Sequence, residues 1–194
     1  MGKRNAFTLI ELLVVVSIIG LLVAILVPGM SKARTQASRA ACATRLRQIG
    51  IGLQAYLADS SDRMPAVSFM PSVGPAPLSL EEPVYIADVL NPYVGKQSDL
   101  FRCPQDRTGV QRAEPNDGKS YFQSERSSYE FRVQLNGRIL EQHVRELQGR
   151  SNRPIPVNGF WIMRDYNNFH GKAGATGSRR YLYIDNHVTD FEQF

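Results

Sequence analysis

The residue with the clearest chemical potential is Glu11, which is the one charge in an apolar run over residues 7–27. An acidic residue at the centre of a membrane helix costs about 2.5–3.5 kcal/mol, and less near a helix end. An ionisable group in such a segment is therefore a functional hypothesis that needs a partner. Cutting the chain between Ala6 and Phe7 would create an α-amino group four residues before Glu11, on the same helix face. That amine and the carboxylate could pair within one chain or between neighbours; alternatively, Glu11 extends to the membrane interface.

Four further side chains could bind a metal ion, but their pattern does not predict a site. They are His170, Asp185, His187 and Asp190. The sequence has no twelve-residue calcium loop and no His-Glu-x-x-His motif. It also lacks the nucleophile elbow, the Walker loop and the dinucleotide fingerprint. We therefore predict no catalytic residue and no cofactor, and assign these four residues to turns and strand edges.

The element that must position Glu11 is the apolar run itself. As a helix, its 21 residues would span roughly 31 Å, about the thickness of the hydrocarbon core of a bilayer. It has no polar stripe of the kind that a surface helix carries, so it is predicted to lie in a membrane. A secretory signal peptide, an uncleaved anchor and a cleaved helix that uses Glu11 all remain open. The apolar run exceeds a typical signal core, and a plain anchor does not explain Glu11.

A second helical pattern follows the apolar run. Pro28 is predicted to kink rather than end the helix, because residues 31–58 resume helical spacing. An apolar seam with steps of four and three then runs along one face, and it needs a partner surface from the rest of the chain. The seam comprises Cys42, Leu46, Ile49, Leu53 and Tyr56.

The same segment carries five basic residues and no acidic one. They are Lys32, Arg34, Arg39, Arg45 and Arg47. They could form a solvated helix face, or attract anionic lipid or acidic patches on neighbouring subunits. Contact with DNA phosphates is the third interpretation, and it is disfavoured because no aromatic residues alternate with the basic ones. The formal net charge of +5 adds little to this choice.

The remainder, residues 59–194, is predicted to form a small α+β head. A proline-rich loop is expected over residues 65–83, and short helices over residues 84–94 and 139–147. A half-buried strand, with Glu130 on its solvated side, is expected over residues 128–135, and a buried strand over residues 156–163. The last strong signal is a hairpin over residues 180–191 with a two-residue turn at Asp185-Asn186. The overall fold class is one long N-terminal helix packed on a small antiparallel sheet.

The N-terminal residues resemble a known motif. Lys3-Arg4-Asn5-Ala6-Phe7-Thr8-Leu9-Ile10-Glu11 is similar to the prepilin cleavage and methylation motif of bacterial type IV pilins and type II secretion pseudopilins. The resemblance implies a pilin-like fold, and a membrane peptidase that removes residues 1–6 and N-methylates Phe7. It also implies that the subunits assemble into a filament through their apolar helices, where Glu11 meets the terminal amine of a neighbour. The family usually has glycine where this chain has Ala6.

Segments of the head resemble one branch of the pseudopilin-like proteins. These segments are Cys42 to Gly50, Phe101-Arg102-Cys103-Pro104, and His170 with Asp185-Asn186-His187-Val188. Asn186 replaces the glycine usual in that last signature. Because some secretion pseudopilins bind calcium in a C-terminal loop, calcium is the one ion that the resemblance leaves open.

The resemblance also places the head outside the cytoplasm, although the five basic residues after the apolar run favour the opposite orientation by charge counting. In an oxidising compartment, Cys42 and Cys103 are expected to form a disulfide that closes a loop of about 60 residues. The alternative is a buried Cys42 beside a free Cys103. Two cysteines also exclude a disulfide-dense scaffold and a four-cysteine zinc site.

The resulting hypothesis is a structural filament subunit with four segments. They are a leader (1–6), a membrane and assembly helix (7–27), its amphipathic continuation (28–58) and the head (59–194). Its expected partners are other pilin-like subunits, a prepilin peptidase and methyltransferase, and the inner membrane. The alternatives are a membrane-anchored binding or enzymatic head, and a DNA-binding minor pilin.

Overall fold

The computed structural model describes residues 8–70, 82–107, 118–149, 156–172 and 174–191. The chain divides into two compact units, Met1–Ala37 and Ser38–Phe194. The described residues form helices and an antiparallel sheet, in agreement with the predicted α+β class. The helices are α1 (Leu9–Asp59), α2 (Ile86–Leu90), α3 (Tyr121–Glu125) and α4 (Leu140–Gln148), and the strands are β1 (Tyr129–Phe131), β2 (Trp161–Asp165), β3 (Tyr181–Tyr183) and β4 (Val188–Thr189).

Helix α1 confirms the long N-terminal helix expected from the sequence. It runs for 51 residues and remains helical at position 28, so the helix does not end at Pro28. A kink at Pro28 stays a prediction. The helix ends where predicted, because Ser61 and Asp62 adopt left-handed backbone with φ of 54° and 58°.

The seam on the second half of α1 forms one wall of the head core. Cys42, Leu46, Ile49 and Leu53 are at most 1% exposed, and Tyr56 packs partly buried against the same core. The spacing of four and three puts these residues on one helix face. The partner surface that this face requires is supplied by the sheet and the short helices of the head.

Two glycines let other segments approach α1 closely. A Cβ atom at Gly50 would overlap the side chain of Asn186, and one at Gly52 would overlap Val94 Cγ1. Glycine weakens a helix by about 1 kcal/mol relative to alanine. Here it permits tight packing against the head.

The sheet is fully antiparallel, with the strand order β1-β2-β3-β4. Strand β2 lies between β1 and β3, and its register with β3 shifts between Trp161 and Met163. The final hairpin therefore pairs with β2 through β3, and β4 is an edge strand of the sheet.

The prediction of a half-buried strand over residues 128–135 is wrong in its extent and its pattern. Strand β1 covers only Tyr129–Phe131, and all three of its side chains are buried. Residues Val133–Leu135 form a 3₁₀ turn instead. Glu130 is buried because it forms an ion pair with Arg164, which lies opposite it on β2.

The terminal hairpin is confirmed, but its predicted two-residue turn is wrong. The amide of Tyr183 donates to the carbonyl of His187 at 3.0 Å, and the amide of Asn186 donates to the carbonyl of Tyr183 at 3.0 Å. Ile184, Asp185 and Asn186 therefore form a three-residue loop. Asn186 occupies its left-handed position with φ of 66°, as the common three-residue hairpin requires.

The two short helices of the head are confirmed in place. Helix α2 is shorter than expected and passes into a 3₁₀ turn over Asn91–Val94, which ends at Gly95 with φ of 71°. Helix α4 forms over most of the predicted range and buries Leu140 and Val144. The strand expected over residues 156–163 begins later, at Trp161, because a 3₁₀ turn occupies Val157–Gly159. Most of the proline-rich loop, residues 71–81, lies outside the described residues.

Candidate functional site

The Glu11 carboxylate lies in the first turn of α1 and is held by Thr8. Glu11 Oε2 accepts hydrogen bonds from the Thr8 amide at 2.9 Å and the Thr8 hydroxyl at 2.8 Å, and the Glu11 amide donates to Thr8 Oγ1 at 3.3 Å. This reciprocal pattern is a capping box, in which residues three apart satisfy each other's free backbone donors. The Thr-x-x-Glu spacing of a capping box is visible in the sequence, although the predictions for Glu11 were an amine partner or a position at the membrane interface. Glu11 therefore has a local structural role besides any role in assembly.

The apolar part of α1 is uncovered in the isolated chain. Every side chain from position 8 to position 27 is exposed, and Leu9 and Ile10 are 79% and 73% exposed. The most apolar 18-residue window has a mean hydropathy of 3.1. Soluble monomers rarely expose apolar patches beyond a few hundred Å². By length and composition, helix α1 is long and apolar enough to span a membrane, and so large an apolar surface is typical of a segment that contacts lipid or other protein.

Polar groups within this apolar segment are satisfied locally. The Ser17 hydroxyl donates to the carbonyl of Leu13 at 2.8 Å. This leaves Glu11 as the one charged side chain of the described part of the apolar run. Ala6 and Phe7, the predicted cleavage and methylation positions, lie outside the described residues, so their pairing with Glu11 stays a prediction.

Two of the five basic residues on α1 contact the head rather than extending into solvent. A guanidinium nitrogen of Arg39 donates to the carbonyl of His170, and one of Arg45 donates to the carbonyl of Arg102. Both side chains are partly buried. These two arginines therefore bind α1 to segments far along the chain. A solvated face, a lipid contact or a DNA contact does not describe their role.

Cys42 and Cys103 are joined by a disulfide, with their Cα atoms 5.5 Å apart. Both cysteines are fully buried. The Cys103 amide donates to Ser128 Oγ at 2.8 Å, and that hydroxyl donates to Asp106 Oδ2 at 2.7 Å. The Asp106 carboxylate also accepts hydrogen bonds from the backbone amides of Tyr121 and Phe122 at the start of α3. The disulfide therefore connects α1 to a hydrogen-bonded network that includes the start of α3 and Ser128, the residue before β1.

His170 and Asp165 lie against this disulfide. His170 Nε2 is 3.6 Å from Cys103 Sγ and 3.4 Å from Asp165 Oδ2. The side chains of His170 and Asp165 are fully buried. Asp165 Oδ2 accepts the amide of Arg180 at 2.7 Å. Sequence reasoning had weighed His170 as a ligand but had not paired it with Asp165 or the cysteines.

The burial of this pair governs its ionisation. Burial raises the pKa of Asp165 well above its usual range, although the hydrogen bond from the Arg180 amide opposes the shift. Burial, and then the charges of Arg180 and Arg39, lower the pKa of His170 to about 4. Desolvation disfavours the charged form of each group. Burial therefore favours the uncharged form of both side chains.

The other three candidate metal ligands, Asp185, His187 and Asp190, lie outside this cluster and have separate partners. His187 Nδ1 contacts Asp185 Oδ1 within the hairpin loop, and the His187 ring stacks on Tyr183 with centroids 4.3 Å apart. Asp190 Oδ2 is 3.6 Å from Arg180 Nη1. The turn and edge roles expected from the sequence describe these three residues, whereas His170 belongs to the buried cluster.

Comparison with known proteins bears on the N-terminus. A family model described as the prokaryotic N-terminal methylation motif matches residues 1–27. Comparisons with curated proteins and with solved structures gave no match. The matched segment includes the whole leader motif, the capping box and the exposed apolar run. These features fit a precursor that is anchored in the inner membrane and processed by a prepilin peptidase. The chain therefore carries the N-terminal signature of type IV pilin-like and pseudopilin-like proteins.

Proposed function

We propose that this chain is a structural subunit of a type IV pilus-like or type II secretion-like filament. A prepilin peptidase would cut between Ala6 and Phe7 and methylate the new amine of Phe7. Copies of the chain, or related subunits, would then pack their apolar helices side by side. The head would lie in the periplasm or outside the cell, where an oxidising environment maintains the Cys42–Cys103 disulfide.

The observation that carries this proposal is an exposed apolar helical segment with a single carboxylate, in register with the methylation motif. A membrane tether needs the apolar surface, and a neutral side chain at position 11 could cap its helix equally well, so tethering alone does not explain the charge there. The capping box explains one carboxylate oxygen, because all the Thr8 bonds go to Oε2. In the filament, the same carboxylate would also receive the amine of a neighbouring Phe7. That pairing would align subunits by a fixed axial step.

The capping role and the charge role can be separated by substitution. Glu11→Gln retains an oxygen that can accept the Thr8 bonds but removes the negative charge. Thr8→Ala removes the cap and retains the charge. We expect Glu11→Gln to lose filaments, while Thr8→Ala retains them with a weakened first turn, since a lost cap costs about 1 kcal/mol.

The measurement is filament yield by electron microscopy and shearing of cells that express the prepilin peptidase and the assembly machinery. Ile10→Leu is the matched control, because it alters a neighbouring apolar side chain without changing charge or the cap. Immunoblotting of membranes verifies that each variant is made and processed. Normal filaments from Glu11→Gln would refute the charge role. Processed protein in the membrane that forms no filament, even in the unaltered chain, would favour the tethered-head alternative.

A further inference from the structure

Three potential metal ligands meet in the core of the head, and a fourth, Asp165, lies beside one of them. Cys42 Sγ, Cys103 Sγ and His170 Nε2 lie within 4.8 Å of one another. Asp165 Oδ2 is 3.4 Å from the same ring nitrogen. All four residues are at most 3% exposed. Two sulfurs, one imidazole and one carboxylate form a donor set that zinc prefers.

The distances around His170 match those of a tetrahedral zinc centre. Zinc–sulfur bonds of about 2.3 Å and zinc–nitrogen bonds of about 2.05 Å place sulfur and nitrogen about 3.6 Å apart at the tetrahedral angle. The separation of Cys103 Sγ and His170 Nε2 is 3.6 Å. The same geometry places nitrogen and a carboxylate oxygen about 3.4 Å apart, and the observed separation from Asp165 Oδ2 is 3.4 Å.

We propose that, when the disulfide is reduced, Cys42, Cys103, His170 and Asp165 bind one Zn²⁺ ion. The disulfide uses both sulfur atoms, so the oxidised head and the zinc-bound head are alternative states of the same cluster. Either state fixes α1 to the segment that contains Cys103. Zinc would thus hold the core of the head together before oxidation or after reduction.

The cluster also contains buried polar atoms without a partner, although they are not the atoms that face one another. Within the part of the chain that the structure describes, Asp165 Oδ1 and His170 Nδ1 have no hydrogen-bond partner. Buried polar atoms in folded proteins are nearly always paired, and each exception needs an explanation. A cation at the Asp165 carboxylate would compensate for the desolvation of this buried side chain, whereas His170 Nδ1 would stay unpaired when zinc binds Nε2.

The surrounding charges are compatible with such a centre. One Zn²⁺ ion with two thiolates and one carboxylate carries a net charge of −1. Arg39 and Arg180 both lie close enough to act electrostatically on His170. Their positive charges would offset the excess negative charge. The backbone amide of Arg180, which donates to Asp165 Oδ2, would orient the carboxylate as outer-shell groups do in metal sites.

The chemistry balances with a phosphine reductant. The phosphine gives two electrons to the disulfide and becomes a phosphine oxide with oxygen from water, and the two protons of that water convert the sulfurs to thiols. When zinc binds, the two thiols release those protons and bind the metal as thiolates. Reoxidation would require a thiol oxidant, which would expel the ion as the sulfurs pair again.

The test uses the full chain in detergent, reduced with a phosphine and titrated with Co²⁺ as a spectroscopic probe for the zinc site. We expect strong visible bands from a tetrahedral thiolate-bound Co²⁺ centre, and their loss when Zn²⁺ is added. The oxidised chain should show no such bands. His170→Ala and Asp165→Asn should each weaken Co²⁺ binding at least tenfold, and Cys42→Ser should abolish the bands.

His187→Ala is the matched control, because His187 also contacts an aspartate but lies in the hairpin loop. It should bind Co²⁺ as the unaltered chain does. Circular dichroism of each oxidised variant verifies that it has folded, and His170→Gln replaces His170→Ala if the latter does not fold. Reduced chain that gives no bands, whether folded or unfolded, overturns the proposal. Binding that is unchanged in both His170 and Asp165 variants also overturns it, since the cysteines alone would then account for the signal.

Discussion

Removing the Cys42–Cys103 disulfide should lower the free energy of unfolding of the head by about 4 kcal/mol. The two cysteines are separated by 61 residues along the chain. In the chain-entropy model, a bridge across a loop of that length stabilises the folded state by about 4 kcal/mol near 25 °C. Most domains have total stabilities of only about 5–15 kcal/mol. Loss of the bridge would therefore remove a large fraction of the stability of the head.

The assay is urea unfolding of the full chain in detergent, followed by tryptophan fluorescence. Trp161 is the single tryptophan of the chain. It lies in the central strand β2 and is 7% exposed, so its emission reports unfolding of the head. The oxidised chain is compared with the Cys42→Ala/Cys103→Ala double variant and with each single variant.

The single variants provide the control on the mechanism. Each one already breaks the bridge, so each should lose nearly the full effect, and the double variant should lose little more. Equal stabilities for the oxidised chain and the double variant would refute the reasoning. Single losses that sum to the double loss would also refute it, because they would indicate two independent packing defects.

Two further predictions concern the head. Gly52→Ala should destabilise the head in the same unfolding assay, because overlap with Val94 costs about 1–3 kcal/mol and outweighs a helix-propensity gain of about 1 kcal/mol. The control is Gly149→Ala, which should not destabilise the head, because its added Cβ would lie 3.6 Å from its nearest neighbour. Equal effects of the two variants would refute the packing argument. Burial and then the charge of Arg138 lower the pKa of His143 below 6.5. Because the unfolded chain binds this proton more tightly, His143 does not oppose folding above pH 6.5, and the head loses stability as the pH falls from 6.5 through the pKa of the folded state. Arg138→Gln should raise the pKa of His143 in an NMR titration, and an unchanged value would contradict this assignment.

The sequence predicted the parts of the fold that depend on local spacing. The seam from Cys42 to Leu53 repeats every three or four residues, and such a pattern is visible without knowing what covers it. The end of α1 and the position of α4 followed from local signals of the same kind. The motif around Glu11 was also local, and it is the segment that the family model matches.

The parts that sequence reasoning missed depend on contacts between distant residues. Glu130 was placed on a solvated face because its strand alternates, but Arg164 pairs with it across the sheet and allows it to be buried. The contact of His170 with Cys103 forms only when the fold brings the segment that contains Asp165 and His170 against Cys103, and local spacing does not reveal such a contact. Gly52 weakens the helix by propensity, and only the packing of Val94 against it explains a glycine at this position.

The most direct test of the central claim is the N-terminus of the mature chain. Protein is purified from membranes of cells with an active prepilin peptidase, and its intact mass and N-terminal sequence are determined. The account predicts a chain that begins at an N-methylated Phe7 and lacks residues 1–6. A chain that retains Met1, in cells where a known prepilin is processed, would contradict it.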